Sequence, residues 1–369
     1  MPKLLKIGYD AKRIVRNRTG LGNYCRTLVN AIHEADPNLD LTLYAPDPGA
    51  DDLRSQLSLP YRYCSWPVAR SLWRSRGIVG DLRRDGINLF HGLSGELPTG
   101  LRRAGIKSVV TIHDLIFMRH PEFYKPIDAW LYRRKFFATV READLIIAVS
   151  ECTKRDIMEL GGVEEGRIKV VYQDCGTLFK RRATADELRE AREIYRLPER
   201  YILQVGTIEE RKNALLTATA LSFLPDDIHL VLVGRPTKYA QKLTNNSAIP
   251  SPSNRIHLLS GVPTRLLPAI YQQAAVFAYP SRYEGFGIPI IEAIHSGLPV
   301  VAATGSCLEE AGGPDSLYVS PDDPRALAAA VADLLGGDNA DRIRRSQEYV
   351  KRFEGNQMAR RVIDLYSSL

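Results

Sequence analysis

The sequence predicts an α/β fold of two doubly wound domains in tandem, and three observations support this prediction. Short apolar runs of strand length alternate with longer helical patterns along the whole chain, which is typical of βαβ units and parallel sheets. The chain has 369 residues, more than the length at which one hydrophobic core stops growing. A charged stretch, residues 178–199, separates two series of such runs and is the expected linker. Two such domains would form a cleft that the carboxyl ends of both sheets face.

The first series of runs predicts a domain over residues 1–178. Each strand candidate is a short apolar run, and each helix candidate repeats its apolar residues at helical spacing. Strands are expected at 5–9, 41–45, 87–91, 108–112, 145–149 and 168–172, with helices at 24–32, 127–142 and 151–160.

The second series predicts a domain over residues 179–350. Its strands are expected at 201–205, 228–233, 256–259, 276–279, 299–303 and 317–319. Its helices are expected at 212–223, 265–274, 289–296 and 325–335, and two more helices, 342–353 and 357–366, end the chain.

The composition is that of an ordinary globular protein, with 44% hydrophobic and 25% charged residues. No apolar run approaches the ~20 residues that a membrane helix needs, and the first residues are too poor in apolar side chains for a secretory signal. The five cysteines are odd in number and scattered, which indicates reduced thiols in a cytoplasmic protein. The basic excess of the +7 formal charge lies in the first half, which suits either an anionic partner or a solvated surface.

Residues 281–303 carry the most informative pattern of the chain, a loop followed by a helix and a strand. Gly285 and Gly287 open the loop, Pro289 suits a first helical position, and Gly297 ends the helix before an apolar strand. Free N–H groups and the dipole at such a helix start favour an anion such as phosphate.

Two carboxylates bracket this turn. Glu284 and Glu292 could accept hydrogen bonds from hydroxyls on either side of a phosphate, which would describe a nucleotide sugar. A tight turn followed by a helix with a solvated glutamate explains the same residues. The segment alone leaves both interpretations open.

The whole run resembles the retaining nucleotide-sugar glycosyltransferases of family 4, because Glu284 and Glu292 with Gly-Phe-Gly-Ile-Pro between them match the Glu-x7-Glu signature. The resemblance covers nearly the whole chain. It implies the GT-B architecture, with residues 351–369 returning as a helix to the first domain. It also implies that Glu292 binds the ribose and Glu284 the transferred sugar, while backbone amides meet sugar and diphosphate oxygens. Those amides belong to Gly285, Phe286, Gly287 and Ile288.

A second motif, residues 204–213, ends a predicted strand and places Arg211 and Lys212 at the start of a helix. Cations there are unfavourable with respect to the helix dipole, which indicates an anionic partner. The resemblance implies that these two side chains hold the donor diphosphate. It further implies donor contacts at the ends of this strand and of the next two, at Gly206, Thr207, Gly234, Arg235 and Leu259.

Two features of the first half also belong to the predicted site. Gly20 and Gly22 precede the first long helix, and the resemblance implies a glycine loop there; a plain helix-entry turn stays open, and Cys25 makes the spacing a near miss for a dinucleotide fingerprint. His113 ends a buried strand, where ligand sites of α/β proteins form. The resemblance places it beside the donor sugar, with Asp114 orienting it, although a lone histidine is more often structural.

Residues 121–137 mix aromatic and basic side chains. Such a mixture suits a membrane interface or a lipid-linked acceptor. Core packing with a basic outer face explains it equally well.

Two places depart from the family pattern. After Val171 the family commonly has Pro-Asn-Gly followed by Asp, whereas this chain has Tyr-Gln-Asp-Cys-Gly at 172–176, near the expected hinge. The family usually has a tryptophan after the position of Phe353, where this chain has Glu354 and Gly355.

The sequence therefore predicts a retaining hexosyltransferase that moves a sugar from a nucleotide-diphospho-sugar to a hydroxyl of a glycan or lipid-linked acceptor in cell-surface polysaccharide synthesis. Its similarity to bacterial mannosyltransferases makes GDP-mannose the first donor and a UDP-sugar the second. The expected catalytic residues are Glu284, His113, Arg211 and Lys212. No metal or cofactor is expected, since the chain has no Asp-x-Asp motif.

The expected partners are the donor, the acceptor and the inner face of an anionic membrane, which the cytoplasmic protein would touch peripherally; nucleic acid is not among them. Three alternatives remain. The chain could be a sugar phosphorylase or a nucleotide-sugar epimerase of the same fold, or a nucleotide-sugar-binding protein without turnover.

Overall fold

The computed structural model describes residues 5–55, 57, 59–64, 70–244 and 253–369. They form two compact units. Unit 1 comprises the chain up to Asp174 together with Phe353–Leu369, and unit 2 comprises Cys175–Arg352. The predicted borders after residues 178 and 350 lie near these divisions.

Unit 1 is built on seven parallel strands in the order β3-β2-β1-β4-β5-β6-β7. Strand β1 lies between β2 and β4, with Ile7 opposite both Leu41 and Leu89. All three side chains are buried, as expected for a sheet covered on both faces. The strands are β1 (Lys6–Asp10), β2 (Asp40–Ala45), β3 (Tyr61–Tyr63), β4 (Leu89–Gly92), β5 (Lys107–Ile112), β6 (Leu145–Ala148) and β7 (Ile168–Val170).

The helices of unit 1 connect these strands. Helix α8 shows a local cause for its start, because the Ser150 hydroxyl accepts a hydrogen bond from the Thr153 amide at 2.9 Å. A π-helical turn, Trp73–Gly77, joins α4 to α5. The helices are α1 (Lys12–Arg16), α2 (Gly20–Ala35), α3 (Asp51–Arg54), α4 (Arg70–Leu72), α5 (Ile78–Arg84), α6 (Ile116–Arg119), α7 (Pro126–Glu142) and α8 (Glu151–Gly161).

Unit 2 has a second parallel sheet, of six strands in the order β10-β9-β8-β11-β12-β13. Its central strands are buried apolar runs, such as Val300–Ala303. The strands are β8 (Arg200–Val205), β9 (Ile228–Val233), β10 (Ile256–Leu259), β11 (Val276–Tyr279), β12 (Val300–Ala303) and β13 (Leu317–Val319).

Two helices of unit 2 begin at side-chain caps. A capping box starts α9, where Thr184 and Glu187 exchange hydrogen bonds. Asp323 caps α15 ahead of a proline at the first helical position. The helices are α9 (Ala185–Tyr195), α10 (Ala214–Ala220), α11 (Gln241–Thr244), α12 (Leu267–Gln273), α13 (Ile288–His295), α14 (Leu308–Gly312), α15 (Pro324–Gly336) and α16 (Ala340–Val350).

The last helix, α17 (Gly355–Ser367), belongs to unit 1, as the sequence predicts. Its Val362 and Tyr366 lie in the same buried cluster as Leu28 of α2. Phe353 packs edge-on against Tyr172 with 5.2 Å between ring centroids. An aromatic contact thus anchors the chain just before the position where the family has its tryptophan.

Two predicted helix starts are wrong. Helix α2 begins at Gly20 rather than at residue 24, because Asn17 accepts hydrogen bonds from the amide and hydroxyl of Thr19 and sets the chain at the helix entrance. Helix α10 begins at Ala214 rather than at residue 212, because Asn213 has a left-handed backbone with φ of 57°. The sequence prediction also missed β3 and several short helices, which are too brief to show a period: α1, α3 to α6, α11 and α14.

No helix among the described residues combines the length and the apolar character that crossing a bilayer requires.

Candidate functional site

The glycine-rich turn of unit 2 is held open by its backbone geometry. Gly287 caps α13 with φ of 116°, a conformation that side-chain-bearing residues rarely adopt. A Cβ there would also lie 3.1 Å from Leu308 and 3.3 Å from Ala311. Ile288 and Pro289 then begin the helix, so the predicted turn into a helix start is confirmed.

Glu284, just before this turn, is the centre of a buried charged cluster. Its Oε1 accepts from Lys212 Nζ at 2.5 Å, from Ser281 Oγ at 2.5 Å and from Arg211 Nη1 at 2.8 Å. Tyr279 Oη lies 3.4 Å from the same oxygen and 2.5 Å from Lys212 Nζ. The Arg211, Lys212 and Glu284 side chains are only 16%, 13% and 11% exposed. The structure therefore brings together three of the residues predicted to be catalytic.

Electrostatics keep this carboxylate ionised. Burial alone would raise the Glu284 pKa, but Arg211 and Lys212 outweigh it and hold the value at about 2. The Arg211 pKa is raised in turn, since Glu284 and Glu209 outweigh the effect of burial. Glu209 Oε1 accepts from Arg211 at 2.8 Å but is 37% exposed, so the buried core of the cluster has two cations for one carboxylate.

The position of the two cations corrects the sequence interpretation. Arg211 and Lys212 lie in a 3-10 turn, Glu210–Lys212, and not in the first turn of a helix. The side chain of Asn213 donates to the carbonyls of Pro280 and Pro321, and Arg211 accepts from the backbone of Arg282, so the turn is fixed against the loop that carries Glu284. The positions of Arg211 and Lys212 are therefore explained by this 3-10 turn and by their ion pairs with Glu284.

Glu292, in the first turns of α13, has a different environment. Tyr271 Oη donates to its Oε2 at 2.8 Å. Burial raises the Glu292 pKa to about 7, and the single tyrosine hydrogen bond only partly opposes this. At neutral pH this carboxyl is therefore close to the midpoint of its titration.

Three strand ends of the sheet are joined by backbone hydrogen bonds. Gly206 donates to Val233 and Gly234 donates to Leu259, each at 2.9 Å. A Cβ on Gly234 would lie 1.9 Å from the Gly206 carbonyl oxygen, so only glycine fits there. Gly206 itself has φ of 144°, and Lys212 Cε lies 3.5 Å from the place of its missing Cβ.

The other predicted donor residues of these strand ends are placed as follows. Thr207 is half-buried, Arg235 is exposed and Leu259 is buried at the end of β10. Arg235 accepts from the amide of Ile208 at 3.0 Å, which ties the two strand ends together beyond the glycines.

Sequence reasoning missed three supports of the glycine turn. Ser281 and Tyr279 bind the Glu284 carboxylate, and the buried Cys307 thiol lies 3.1 Å from the Glu284 carbonyl and 3.0 Å from that of Phe286. Cys307 is distant in sequence and no local pattern marks it. Ser281 and Tyr279 stand close before Glu284, and their polar groups at a strand end were the available signal.

His113 lies in unit 1 at the end of β5, as predicted. Its Nε2 is 2.9 Å from the carbonyl oxygen of Leu93 and its Nδ1 is 2.9 Å from Nε2 of Gln173. Tyr24 meets the ring edge-on at 4.7 Å. Burial lowers the His113 pKa to about 4. The ring and Asp114 line a pocket of about 280 Å³.

The predicted glycine loop before the first long helix is wrong, because its glycines are already helical. Gly20 and Gly22 lie in the first turn of α2. A Cβ on Gly22 would lie 1.9 Å from the carbonyl oxygen of Asn17, so packing against that residue requires this glycine. A Cβ on Gly20 would meet open space.

Two parallel-sheet units with these strand orders, the second carrying a glycine turn into a helix start, are the arrangement of the GT-B fold. Solved structures agree on the fold: Anabaena HepE in complex with UDP and glucose matches with a TM-score of 0.78 and 18% identity, over 99% of this chain and all of that one.

Sequence comparison then gives the family. The model described as "Glycosyltransferase Family 4" matches residues 18–173, and "Glycosyl transferases group 1" matches residues 199–337. The chain is similar to O-antigen chain mannosyltransferase B of Escherichia coli, with 31% identity over 76% of this chain and 74% of that protein. It is also similar to O-antigen chain mannosyltransferase RfbU of Salmonella typhimurium, with 26% identity over 69% and 67%. The protein belongs to glycosyltransferase family 4, and the relatives support transfer over phosphorolysis, epimerisation or binding without turnover.

Proposed function

We propose that this glycosyltransferase moves mannose from GDP-mannose to a hydroxyl of a glycan or lipid-linked acceptor in cell-surface polysaccharide synthesis, with retention of configuration and without a metal ion. The observation that carries the proposal is the buried cluster of Glu284, Arg211 and Lys212 beside the glycine turn.

The donor diphosphate is the anion that this arrangement suits. Arg211 and Lys212 supply two cations, and the N–H groups of Gly287 and Ile288 have no hydrogen-bond acceptor among the described residues. These groups point where a helix start favours phosphate. Preorganised donors of this kind are typically worth on the order of 3 kcal/mol in the transition state. Cations from side chains thus take the part that a metal has in other transferases.

Glu284 orients the sugar in this mechanism. Its Oε1 binds both cations and Ser281, whereas Oε2 has no partner among the described residues and accepts a sugar hydroxyl. With a pKa of about 2 it carries no proton to donate at neutral pH. The leaving phosphate accepts the proton of the acceptor on the face it departs from, and the configuration is retained without a protein nucleophile.

The remaining predicted residues complete the donor site. Glu292 accepts the ribose hydroxyls. Gly206, Gly234 and the strand ends beside them frame the nucleoside, and the glycine at 234 allows the close approach of the Gly206 carbonyl oxygen that brings these strand ends together. The family resemblance further implies a role for His113 with the transferred sugar and donor contacts from Gly20 and Gly22, which lie in the first turn of α2.

The names of the relatives favour mannose. Both similar O-antigen enzymes are named mannosyltransferases, which makes GDP-mannose the first donor to test. A UDP-sugar is the second, since a protein of this fold is described with UDP and glucose.

A surface of helix α7 supports contact with an anionic membrane. Ile127 is 73% exposed and Trp130 59%, with Leu131 and Tyr132 also open to solvent. The Arg134 guanidinium lies 5.7 Å from the Trp130 ring. Exposed aromatic side chains with neighbouring cations are typical of the interface between water and an anionic bilayer.

The experiment is thermal unfolding of the wild type and of Glu292→Ala with GDP, UDP, ADP and NAD. A ligand at a hundred times its Kd stabilises by about 2.7 kcal/mol, which raises the midpoint clearly. We expect GDP to raise it most, and Glu292→Ala to weaken that rise. A rise with NAD alone would contradict the proposal, and a rise with UDP alone would replace the donor.

A further inference from the structure

A pocket in unit 1 carries a concentration of positive charge that the donor chemistry does not use. It has a volume of about 440 Å³, within the usual range of small-ligand sites. Asp10, the last residue of β1, lines it, so it lies at the carboxyl end of the sheet, where α/β proteins bind ligands. We call it the basic pocket because five cationic side chains line it against two carboxylates: Lys12, Arg16, Arg70, Arg74 and Lys135 against Asp10 and Glu96.

The carboxylates of the basic pocket are already engaged. Arg74, whose side chain is 15% exposed, forms ion pairs with both Asp10 and Glu96. Lys135 Nζ lies 3.1 Å from the second of these carboxylates. Arg74 and Lys135 overcome the effect of burial and hold the Glu96 pKa at about 2.

Arg16 and Arg70 both pair with the buried Asp47. This leaves Lys12 as the cation of the basic pocket without an ion pair among the described residues. In the part of the chain that the structure describes, no carboxylate lies within ion-pair distance of its ammonium group. It is half-buried, and burial together with the neighbouring Arg74 and Arg13 lowers its pKa by more than Glu96 and Asp10 raise it. A half-buried cation next to a second cation is costly unless an anion joins them.

A second observation points the same way. The pocket beside His113 shares the side chains of Glu96 and Lys135 with the basic pocket, so the two cavities adjoin. Arg13 lines that pocket, and its Nε is buried without a hydrogen-bond partner among the described residues. Consecutive residues of α1 thus offer unsatisfied cationic groups to both cavities.

We propose that the basic pocket is a subsite for a phosphate group of the acceptor, and that Lys12 is its principal ligand. This inference deepens the proposed function, since it names the chemistry of the acceptor. A phosphate at Lys12 completes the charge balance of the pocket, and the acceptor then extends along the wall of Glu96 and Lys135 towards His113. The shared chemistry is a phosphate ester, either of a soluble sugar or of a lipid headgroup.

The test is a calorimetric titration of the whole chain with inorganic phosphate, which measures the Kd. Lys12→Ala should weaken phosphate binding about tenfold, the loss expected for one charge-assisted hydrogen bond. Lys107→Ala, which removes an exposed lysine elsewhere in unit 1, should leave the Kd unchanged. Lys212→Ala separates this site from the donor site. If it abolishes phosphate binding while Lys12→Ala has no effect, the basic pocket is not an anion site and the inference is overturned.

Two further titrations distinguish the sources of the phosphate. One uses mannose 6-phosphate, and the other uses vesicles of phosphatidylcholine with phosphatidylglycerol. A weakening by Lys12→Ala in the first supports a soluble acceptor, and a weakening in the second supports a lipid headgroup. No weakening in either overturns the inference. Nucleotide binding is measured separately, so a failure here is distinct from a failure of the proposed transfer.

A separate observation concerns His113, whose two ring nitrogens are both engaged by protein. The Leu93 carbonyl oxygen can only accept, so the Nε2 that lies 2.9 Å from it must carry the proton. The neutral ring then offers Nδ1 as an acceptor, and its partner Gln173 must donate its amide hydrogen. Gln173 is 4% exposed and occupies the place where the family commonly has asparagine.

We infer that Gln173 is a positioning residue that holds His113 as the neutral Nε2–H tautomer. Three titratable groups lie near the His113 ring: Arg13, Tyr24 and His91. Arg13 and His91 are basic, so neither stabilises a positive charge on the ring. A donor at Nδ1 therefore favours the neutral ring, which then contributes shape and a fixed hydrogen bond rather than a proton. The tautomer of His113 does not depend on the proposed function. Only the expected effect on the transfer rate does, because it requires His113 to lie beside the sugar.

Nitrogen-15 NMR of histidine-labelled protein tests it directly, with His113→Asn identifying the signal. The wild type should show the Nε2–H tautomer, neutral down to pH 5. Gln173→Glu should raise the midpoint of His113 by about two pH units, because a carboxylate at Nδ1 stabilises the imidazolium. In Gln173→Glu the transfer rate should also decrease as the pH is lowered through that midpoint, because the imidazolium forms there. In Gln173→Asn it should not. An Nδ1–H tautomer in the wild type, or an unchanged midpoint in Gln173→Glu, would overturn the inference.

Discussion

Glu284 and Glu292 flank the same glycine turn, yet their surroundings shift their pKa values in opposite directions. Glu284 has two cations, a serine and a tyrosine around one oxygen, and its pKa is about 2. Glu292 has one tyrosine, and burial raises its pKa to about 7. Identical side chains separated by seven residues therefore differ in charge at neutral pH.

This difference separates two roles within one motif. Glu284 is a permanent anion that positions Arg211 and Lys212 before any donor arrives. Glu292 changes its charge when a ligand donates to it, because hydrogen bonds from hydroxyls favour the carboxylate form. Under the proposed function, one carboxylate organises the site and the other responds to the bound donor.

The largest expected effect comes from breaking the first of these environments. Glu284→Gln leaves the buried Lys212 without a carboxylate and Arg211 with only the partly exposed Glu209. Breaking a buried pair typically costs about 3–5 kcal/mol of stability. We also expect transfer to fall at least about a hundredfold, since the sugar and the cations both lose their anchor. Urea unfolding and a donor-consumption assay measure the two losses.

Glu209→Gln is the matched control for this change. It removes the other carboxylate of Arg211, but that carboxylate is 37% exposed, and exposed pairs are worth about 1 kcal/mol or less. Equal losses in the two variants would show that the buried pair is not special.

Lys212→Met is the next largest change and keeps the length of the side chain. Without this cation the departing diphosphate loses a preorganised donor, so kcat should fall about a hundredfold while KM changes less. Lys242→Met, at a 55% exposed lysine of unit 2, is the control. A rise in KM with unchanged kcat would place Lys212 in ground-state binding alone.

The second environment predicts an unusual pH dependence of stability. The Glu292 pKa is raised from 4.5 to about 7 in the folded protein. Its contribution is therefore fully present below about pH 4.5 and is lost as pH rises through 7, by up to about 3 kcal/mol. Glu292→Gln should flatten the stability between pH 5 and 8. A wild-type profile that is already flat there would contradict the raised pKa.

The smallest effect on stability is expected at Cys307, whose thiol contacts two carbonyl groups of the glycine turn. Cys307→Ala removes its contacts with the carbonyls of Glu284 and Phe286, at a cost of about 1 kcal/mol. Donor binding should weaken several-fold in the same variant. Cys25→Ala, at a buried cysteine of unit 1, should cost similar stability without weakening the donor. Unchanged donor affinity in both variants would remove Cys307 from the site.

Much of the fold follows from patterns that the sequence displays. Alternating strand and helix periods predict both parallel sheets, and the return of α17 to unit 1 is also predicted. The helix starts at Gly20 and Ala214 were missed because they depend on the side chain of Asn17 and on the left-handed Asn213. Both features are single-residue effects, and the periodic spacing of apolar residues does not reveal them.

The sequence singles out three side chains that the structure brings together, but it does not predict their electrostatics. Glu284, Arg211 and Lys212 were each identified, yet their mutual pairing requires the 3-10 turn and the bonds of Asn213 to two distant carbonyls. The contrast between the two glutamates depends in the same way on Tyr271 and Ser281, which the fold brings to them. Spacing identifies such residues, whereas their charge states depend on tertiary contacts.

Carbon-13 NMR of the glutamate carboxyl groups across pH, with and without GDP, tests this account most directly. Glu284→Gln and Glu292→Gln assign the two signals. We expect one midpoint near 2 and the other near 7, and GDP should lower the second while the first stays unchanged. Two midpoints between 4 and 5 that do not respond to GDP would contradict both the distinct charge states and the nucleotide site.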